Sequence, residues 1–214
     1  MLALDHMYET VYYHKTVRAA SFLLTAMIRR AATCLASAVP DDRDPFRAVL
    51  SLGKSVALSD YARATDAVVW YHIDRWRDSE DDALVHLAKS LCERRFPKTM
   101  DMPDGVADCV KLKEKAQELV RASFPKIEDK YLMAIDEPER VSYKRYSRGE
   151  GADASILTLE RHAIKPRAIE DYQRSLVPKV AEKMYKSRLI VPNQSIRDQL
   201  LDFARRERIK GVTP

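Results

Sequence analysis

Tyr12-Tyr13-His14-Lys15-Thr16-Val17-Arg18 is the stretch on which the rest of the chain's reading turns. It lies near the start of a segment, from about Ala3 to about Ala38, that contains neither proline nor glycine. Val17, Ala20, Leu24, Met27, Ile28, Ala31 and Leu35 recur there at spacings of three and four, which predicts one apolar stripe on an α-helix. Arg18, Thr25 and Arg29 fall on a separate, polar side. A helix of that length would run about 50 Å at 1.5 Å per residue and could be the spine of a helical domain. In helical register Met7, Val11, His14 and Arg18 share one face, and Tyr8, Tyr12 and Lys15 an adjacent one. Cations can meet phosphate oxygens through charge-assisted hydrogen bonds, and a tyrosine ring can stack on a base or sugar. On helix logic alone, solvated Lys15 and Arg18 and a helix-surface His14 are the better reading of these residues.

The 214 residues suffice for one large domain, or for one domain with a small appendage. Hydrophobic residues at 46% can build a core, and only 5 glycines disfavour barrels, sandwiches and glycine-rich phosphate loops, so mostly helix is expected. The net charge of +5, with basic and acidic residues interspersed, would suit an anionic ligand without being a nucleic-acid signature. Arg205-Arg206-Glu207-Arg208 reads as a solvated helix end, where cations complement the helix dipole. Cys34, Cys92 and Cys109 are odd in number and widely spaced, which points to reduced thiols in a cytoplasmic protein. Asp5 and Glu9 stand where a signal peptide would be basic, and Phe22 to Ile28 is too short to span a bilayer, so no membrane association is expected.

Along the chain, Asp44 with Pro45 at the first helical position predicts a helix ending near Gly53. Thr65 or Asp66 starts another, with Val68, Val69, Trp70, Ile73 and Trp76 facing inward. His72 and Asp74 do not make a metal pair, because positions i and i+2 on a helix diverge by about 200°. Asp78-Ser79-Glu80-Asp81-Asp82 opens the next helix, whose stripe is Leu84, Leu87 and Leu91 and whose His86 reads as a surface residue. Arg94 to Lys98, broken by Pro97, closes it, and Met100 to Gly105 reads as a linker. Val106 to Ser123 is amphipathic, with Val110, Leu112, Ala116, Leu119 and Val120 expected inside. Beyond Pro125 the texture changes. Strands are expected at Tyr131–Ile135, Ala154–His162 and Arg188–Pro192, a helix kinked near Pro178 over Ala168–Tyr185, and a final helix capped by Ser195. Lys144 and Arg145 read as a solvated edge, and Gly149 with Gly151 as a loop. The expected fold is mainly α, with helical residues 1–124 and a small α+β lobe at 125–214.

Met7-x4-Tyr12-Tyr13-His14-Lys15-Thr16-Val17-Arg18-Ala19-Ala20 resembles a helix of the HD-superfamily dNTP triphosphohydrolases, including the SAM-and-HD-domain type. The resemblance extends over nearly the whole chain, as the C-terminal half of a longer protein. It implies an HD-type helical domain remnant followed by a small lobe, with the Arg188 strand and Pro192 in structural roles. It also implies that His14 and Lys15 contact substrate phosphates and that Tyr12 packs near the sugar or base. Arg94-x-Phe96-x-Lys98 is similar to the family's Arg-x-Leu-x-Lys segment, which implies a regulatory nucleotide on Arg94 and Lys98. A helix C-terminus closed by cations remains the alternative for that segment.

The family takes its name from a His…His-Asp…Asp set of metal ligands that precedes the His-Lys helix by several dozen residues. Here 13 residues precede His14, and none of His6, His14, His72, His86 and His162 is followed by aspartate. A divalent metal is therefore expected in the complete family enzyme and not in this chain, which alone should be catalytically silent. The expected function is the C-terminal portion of a nucleotide phosphohydrolase that converts a dNTP to deoxynucleoside and triphosphate. Expected partners are a nucleoside triphosphate and either further copies of the chain or a complementing N-terminal half; nucleic acid is disfavoured. The alternative is a non-catalytic helical module for protein interaction or oligomerisation.

Overall fold

The computed structural model describes residues 7–137, 139–140, 157–159, 165, 167–168, 184–185 and 187–213. Its contacts divide the chain into two compact units interleaved in sequence. The larger comprises Lys15–Asp136 and Ser187–Pro214; the smaller comprises Met1–His14 and Glu137–Lys186. The architecture is mainly helical with a small three-stranded sheet.

The larger unit opens on α1 (Lys15–Thr33), followed by the short α2 (Leu35–Ala38), α3 (Pro45–Leu52), α4 (Leu58–Arg63), α5 (Asp66–Trp76) and α6 (Asp82–Cys92). Strand β1 (Lys98–Asp101) and the long α7 (Val106–Ser123) come next, then β2 (Ala134–Asp136). The chain returns to this unit as a further strand (Arg188–Val191) and the last helix (Gln194–Arg206). In the smaller unit β3 (Glu139–Arg140) pairs with β6 (Met184–Tyr185), and β4 (Leu157–Thr158) with β5 (Arg167–Ala168), both antiparallel. The returning strand is thus β7 and the last helix α8.

The long first helix of the sequence reading is divided. One π-helical turn, Tyr8–Tyr12, is followed by two residues outside any helix before α1 begins. Thr10, Val11, Tyr12 and Tyr13 are consecutive residues whose side chains lose χ1 freedom in an α-helix, so propagation is weakest there. The register that would put Met7, Val11, His14 and Arg18 on one face does not run through. A second break follows Thr33, where the Thr33 hydroxyl and the Cys34 thiol both donate to the carbonyl of Arg30, at 2.7 and 3.2 Å. Side chains competing for one carbonyl weaken the helical ladder.

Caps decide the other helix starts. The Asp44 carboxylate accepts from the Phe46 N–H at 2.8 Å, with Pro45 at the first position, and Gly53 ends that helix at φ +53°. Asp81 accepts from the Leu84 N–H at 2.9 Å. Asn193, not Ser195, caps α8, accepting from the Ile196 N–H at 2.9 Å. Gly105 precedes α7, which spans the expected Val106–Ser123.

The core falls into two clusters that share Ile127 at their margins. The first joins α1, α3, α5 and α6 through Leu23, Met27, Phe46, Ile73, Trp76, Leu84 and Leu87. Trp76 donates its indole N–H to the Ala38 carbonyl at 2.8 Å, which satisfies a polar group that has no water to reach. The buried side of α1 is Ala19, Leu23, Ala26, Met27 and Ala31. Val17 and Leu24, expected inside, are instead partly exposed, as is Trp70 on α5. Both helices are apolar over more than one face, and periodicity alone cannot say which face meets the core. The second cluster packs α7 and α8 on the sheet through Leu112, Ala116, Val120, Leu189, Val191, Ile196 and Leu200.

β7 is the middle strand. It pairs antiparallel with β1 in the register Lys98 to Val191 and with β2 in the register Ala134 to Ile190. Leu189, Ile190 and Val191 are all buried, as expected for a strand flanked on both edges and covered by helices. β1 corrects the linker expected from Met100, since Lys-Thr-Met-Asp is too short and polar to announce a strand. The strand expected at Tyr131–Ile135 is a 3₁₀ turn (Asp129–Tyr131) followed by β2. The ends of the helix expected over Ala168–Tyr185 are strand residues, and its interior lies outside the described residues, as do Lys144, Arg145, Gly149 and Gly151.

Candidate functional site

Two helix N-termini open onto one cleft of about 270 Å³ in the larger unit. Lys15 and Thr16 bring the start of α1 to it, and Gln194 and Arg197 bring the start of α8. The third wall is the turn from α6 into β1, which contributes Arg94, Phe96, Pro97, Lys98 and Thr99. Four of the nine lining residues are cationic, and none is a carboxylate.

Some helix starts of this molecule carry an acid in the first turn and others, α2 and α3 among them, do not. α4, α5, α6 and α7 each carry an aspartate in the first turn, Asp60, Asp66, Asp82 and Asp108, where an acid offsets the positive end of the helix dipole. α1 and α8 have no acid in the first turn. They carry Lys15 and Arg197 near a pole that already amounts to roughly half a positive charge. Cations on a positive helix pole are unfavourable by themselves and favourable once an anion sits between them. The Nε of Arg197 is buried and has no hydrogen-bond partner among the described residues, with Asp198 reaching it only at 4.0 Å.

Arg94 is a second anomaly. It follows the C-terminus of α6 at φ +57°, a left-handed conformation in which helices commonly place glycine. The Arg95 N–H donates to the Ser90 carbonyl at 2.8 Å and closes the helix around it. The chain turns in the way a glycine would allow, yet keeps an arginine at the turn.

Elsewhere the same unit pairs its arginines. Arg30 donates from Nε and Nη2 to Asp81 at 3.0 and 2.6 Å, while Asp81 caps α6. Burial pushes the Asp81 carboxyl up, but the Arg30 hydrogen bond and the Leu84 N–H outweigh it, and the net shift is downward. Arg30 itself is raised, chiefly by Asp81. Arg18 donates from Nε to both oxygens of the buried Asp136, at 3.0 and 3.1 Å, and ties α1 to β2.

Of the residues singled out in the sequence, Lys15, Arg94 and Lys98 come together around this cleft, although the resemblance assigned them to two separate sites. Tyr12, 49% exposed, and His14, also exposed, belong to the smaller unit. Arg197, Thr16, Thr99 and Gln194 were not anticipated. The local pattern does not single out Arg197, since Arg47 also lies in a first helical turn that lacks any acid and bonds instead to the Leu35 and Val39 carbonyls.

The described residues do not fit a metal centre, since no three of His, Cys, Asp and Glu among them converge on one point. His72 is 3% exposed, and its Nε2 donates to Asp44 at 2.9 Å while its ring stacks on Phe46. Asp74 turns away to Arg77 at 2.9 Å, as helical geometry requires of positions i and i+2. His86 corrects its reading as a surface residue: it is half-buried, edge-on to Phe124 at 4.9 Å between ring centres. Among the described residues no helix is long and apolar enough to cross a membrane.

No protein-family profile matches the chain. Among solved structures it is similar to a phosphohydrolase from Bacteroides thetaiotaomicron, at a TM-score of 0.57 and 18% identity over 86% of this chain. Among curated proteins it is similar to the uncharacterized protein YwfO of Bacillus subtilis, 26% identical over 90 residues. The chain spans 47% of the length of that phosphohydrolase and 21% of YwfO. The mainly helical fold with its small sheet is thus phosphohydrolase-like.

Proposed function

We propose that the cleft holds the polyphosphate of a nucleoside triphosphate, and that the chain is the C-terminal portion of an HD-superfamily nucleotide phosphohydrolase of the kind that releases triphosphate from a dNTP. The observation that carries this reading is the convergence of Lys15, Arg94, Lys98 and Arg197, without a carboxylate, at two helix N-termini. The volume of about 270 Å³ lies below the roughly 300–1,000 Å³ of sites that engulf a drug-sized ligand, so the phosphates enter and the nucleoside stays outside. In this reading Lys15 and the Arg94–Lys98 segment act on one polyphosphate rather than on two nucleotides. The fold likeness supports the enzyme class, and the substrate is read from the charge of the cleft. A divalent metal, in the complete enzyme, would supply the activated water. The described residues bind and orient, and the chain alone does not hydrolyse.

Calorimetric titration with dNTPs and with inorganic triphosphate tests this. Both should bind, and Lys15→Ala or Lys98→Ala should each weaken binding by about tenfold or more, the scale of a charged hydrogen bond. Affinity that ignores all the cleft cations overturns the assignment, and metal-dependent turnover by the isolated chain overturns its silence.

A second reading is an oligomerisation module. It is favoured by an open apolar groove of about 410 Å³ between α1 and α5, with Val17, Leu24, Val69 and Trp70 along it and Trp70 55% exposed. Concentration-dependent self-association abolished by Trp70→Glu, together with no Lys15-dependent nucleotide binding, would favour it.

A further inference from the structure

A second cavity, of about 380 Å³, lies between α6 and the turn that follows α7. Its apolar side is Val85, Phe124, Pro125 and Ile127. His86 stands among them with its ring edge-on to Phe124, centroids 4.9 Å apart and planes at 67°. Burial, and then Arg95, hold the imidazole below its ordinary pKa, so near neutrality it presents an uncharged ring. The other side is cationic, with Lys89, Arg95 and Lys126. One acid, Asp82, faces them and reaches Lys126 at 3.7 Å. Arg95 is paired with Glu93 at 2.6 Å, and Lys89 has no ion-pair partner among the described residues.

We propose that this cavity is a separate ligand site, built for a planar aromatic ring that carries a phosphate or carboxylate. The ring lies against Val85 and Ile127 and completes the aromatic pair of His86 and Phe124, since aromatic groups favour edge-on or offset contacts at ring separations of about 4.5–7 Å. The anionic group meets Lys89, with Lys126 and Arg95 beside it. Charge selects the ligand's sign, because Lys89 stands without an ion-pair partner among the described residues beside the paired Arg95 and Lys126. Size selects a small molecule, because the volume falls within the roughly 300–1,000 Å³ of small-molecule pockets. An apolar floor with a few convergent charged groups is the usual composition of such sites. Nothing in this assignment depends on the polyphosphate cleft, which shares none of these residues.

The test is side-chain NMR of the full chain, following the His86 ring at fixed pH during titration with naphthyl phosphate and, separately, with naphthoic acid. A saturable His86 shift is expected, with a midpoint below about 1 mM for at least one of them. Inorganic phosphate and the uncharged naphthalenemethanol should each bind about tenfold more weakly or not at all, because each supplies one half of the recognition. Lys89→Glu and Lys126→Glu, the first at a half-buried and the second at an exposed position, should each weaken the aromatic anion by about tenfold, and Lys15→Ala should leave it unchanged. The arm that saturates at lower concentration identifies phosphate or carboxylate as the head group. Absence of a saturable His86 shift with either anion overturns the proposal. So does uncharged ring binding as tight as that of the anions, or affinity unmoved by both charge reversals.

Discussion

Arg30 and Lys98 lie in the same compact unit and show two opposite uses of a cation. Arg30 is half-buried with its guanidinium on Asp81 and a weaker contact to Glu128 at 3.5 Å. Lys98 lines a cleft whose other charged residues are Lys15, Arg94 and Arg197. The first arrangement holds α1 against α6 and finishes the cap of α6. The second gathers like charges at the positive ends of two helices, which costs stability in isolation. Where this molecule uses charge for folding, it supplies the counter-charge. Where four cations line one cleft and no carboxylate does, the arrangement favours an anion from outside.

The largest effects should fall on the paired side. Asp81→Ala removes a helix cap and leaves Arg30 without its main partner in a half-buried setting, and should cost about 3 kcal/mol in urea denaturation. Asp81→Asn, which keeps the cap and loses the charge, should cost about half as much. If Asp81→Ala costs no more than an ordinary surface substitution, about 0.5 kcal/mol, the structural use of this pair is disproved. The sign with pH follows from the lowered Asp81 pKa. Its contribution is fully present above the ordinary carboxylate value and is lost as pH falls through the lower folded value, so Asp81→Asn should flatten acid unfolding in that range.

The cleft cations should behave in the reverse way. Lys98→Ala and Arg197→Ala should each weaken triphosphate binding by about tenfold, or about 1.4 kcal/mol, while changing stability by less than about 0.5 kcal/mol. Binding should also weaken with added salt, chiefly through the exposed Lys15 and Arg94, whose charges are screened within about 10 Å at 0.1 M. A large loss of stability on removing either cation would place it with Arg30 instead.

Arg94 sharpens the contrast because both effects meet at one residue. Arg94→Gly relieves a left-handed backbone and should raise stability by about 1 kcal/mol while lowering anion affinity. A variant that gains stability and keeps full affinity would show that the side chain has no part in the cleft. His86 should give the smallest effect. Burial lowers its pKa, so its contribution is intact above the ordinary histidine value and is lost as pH falls through the lower folded value. His86→Phe should reduce the slope of stability against pH in the weakly acidic range, read from thermal unfolding at several pH values.

Most helices of the larger unit were legible one at a time. Asp44 with Pro45 and Asp81 mark their starts two residues before the first buried position, and Val106–Ser123 is framed by its own pattern. The Arg188–Val191 strand reads as a strand because its apolar run is short and bounded by Pro192. The misreadings share a cause. Val17, Leu24 and Trp70 are apolar at helical spacing, so the pattern offers them to the core on equal terms with Leu23 and Ile73. His86 was assigned to the surface because its partner, Phe124, arrives from a turn beyond β1 and α7.

The sequence by itself therefore determined the mainly α class, several helix starts and the central strand, because these depend on chemistry within about one helical turn, while Lys15, Arg94 and Lys98 stood out through the family resemblance. Only the tertiary structure decided that Lys15, Arg94, Lys98 and Arg197 face one another, that Arg18 finds Asp136 across 118 positions, and which face of α1 is covered. Those outcomes depend on how the sheet brings Arg188–Val191 back between β1 and β2, and no local pattern encodes a pairing between segments so far apart in the chain.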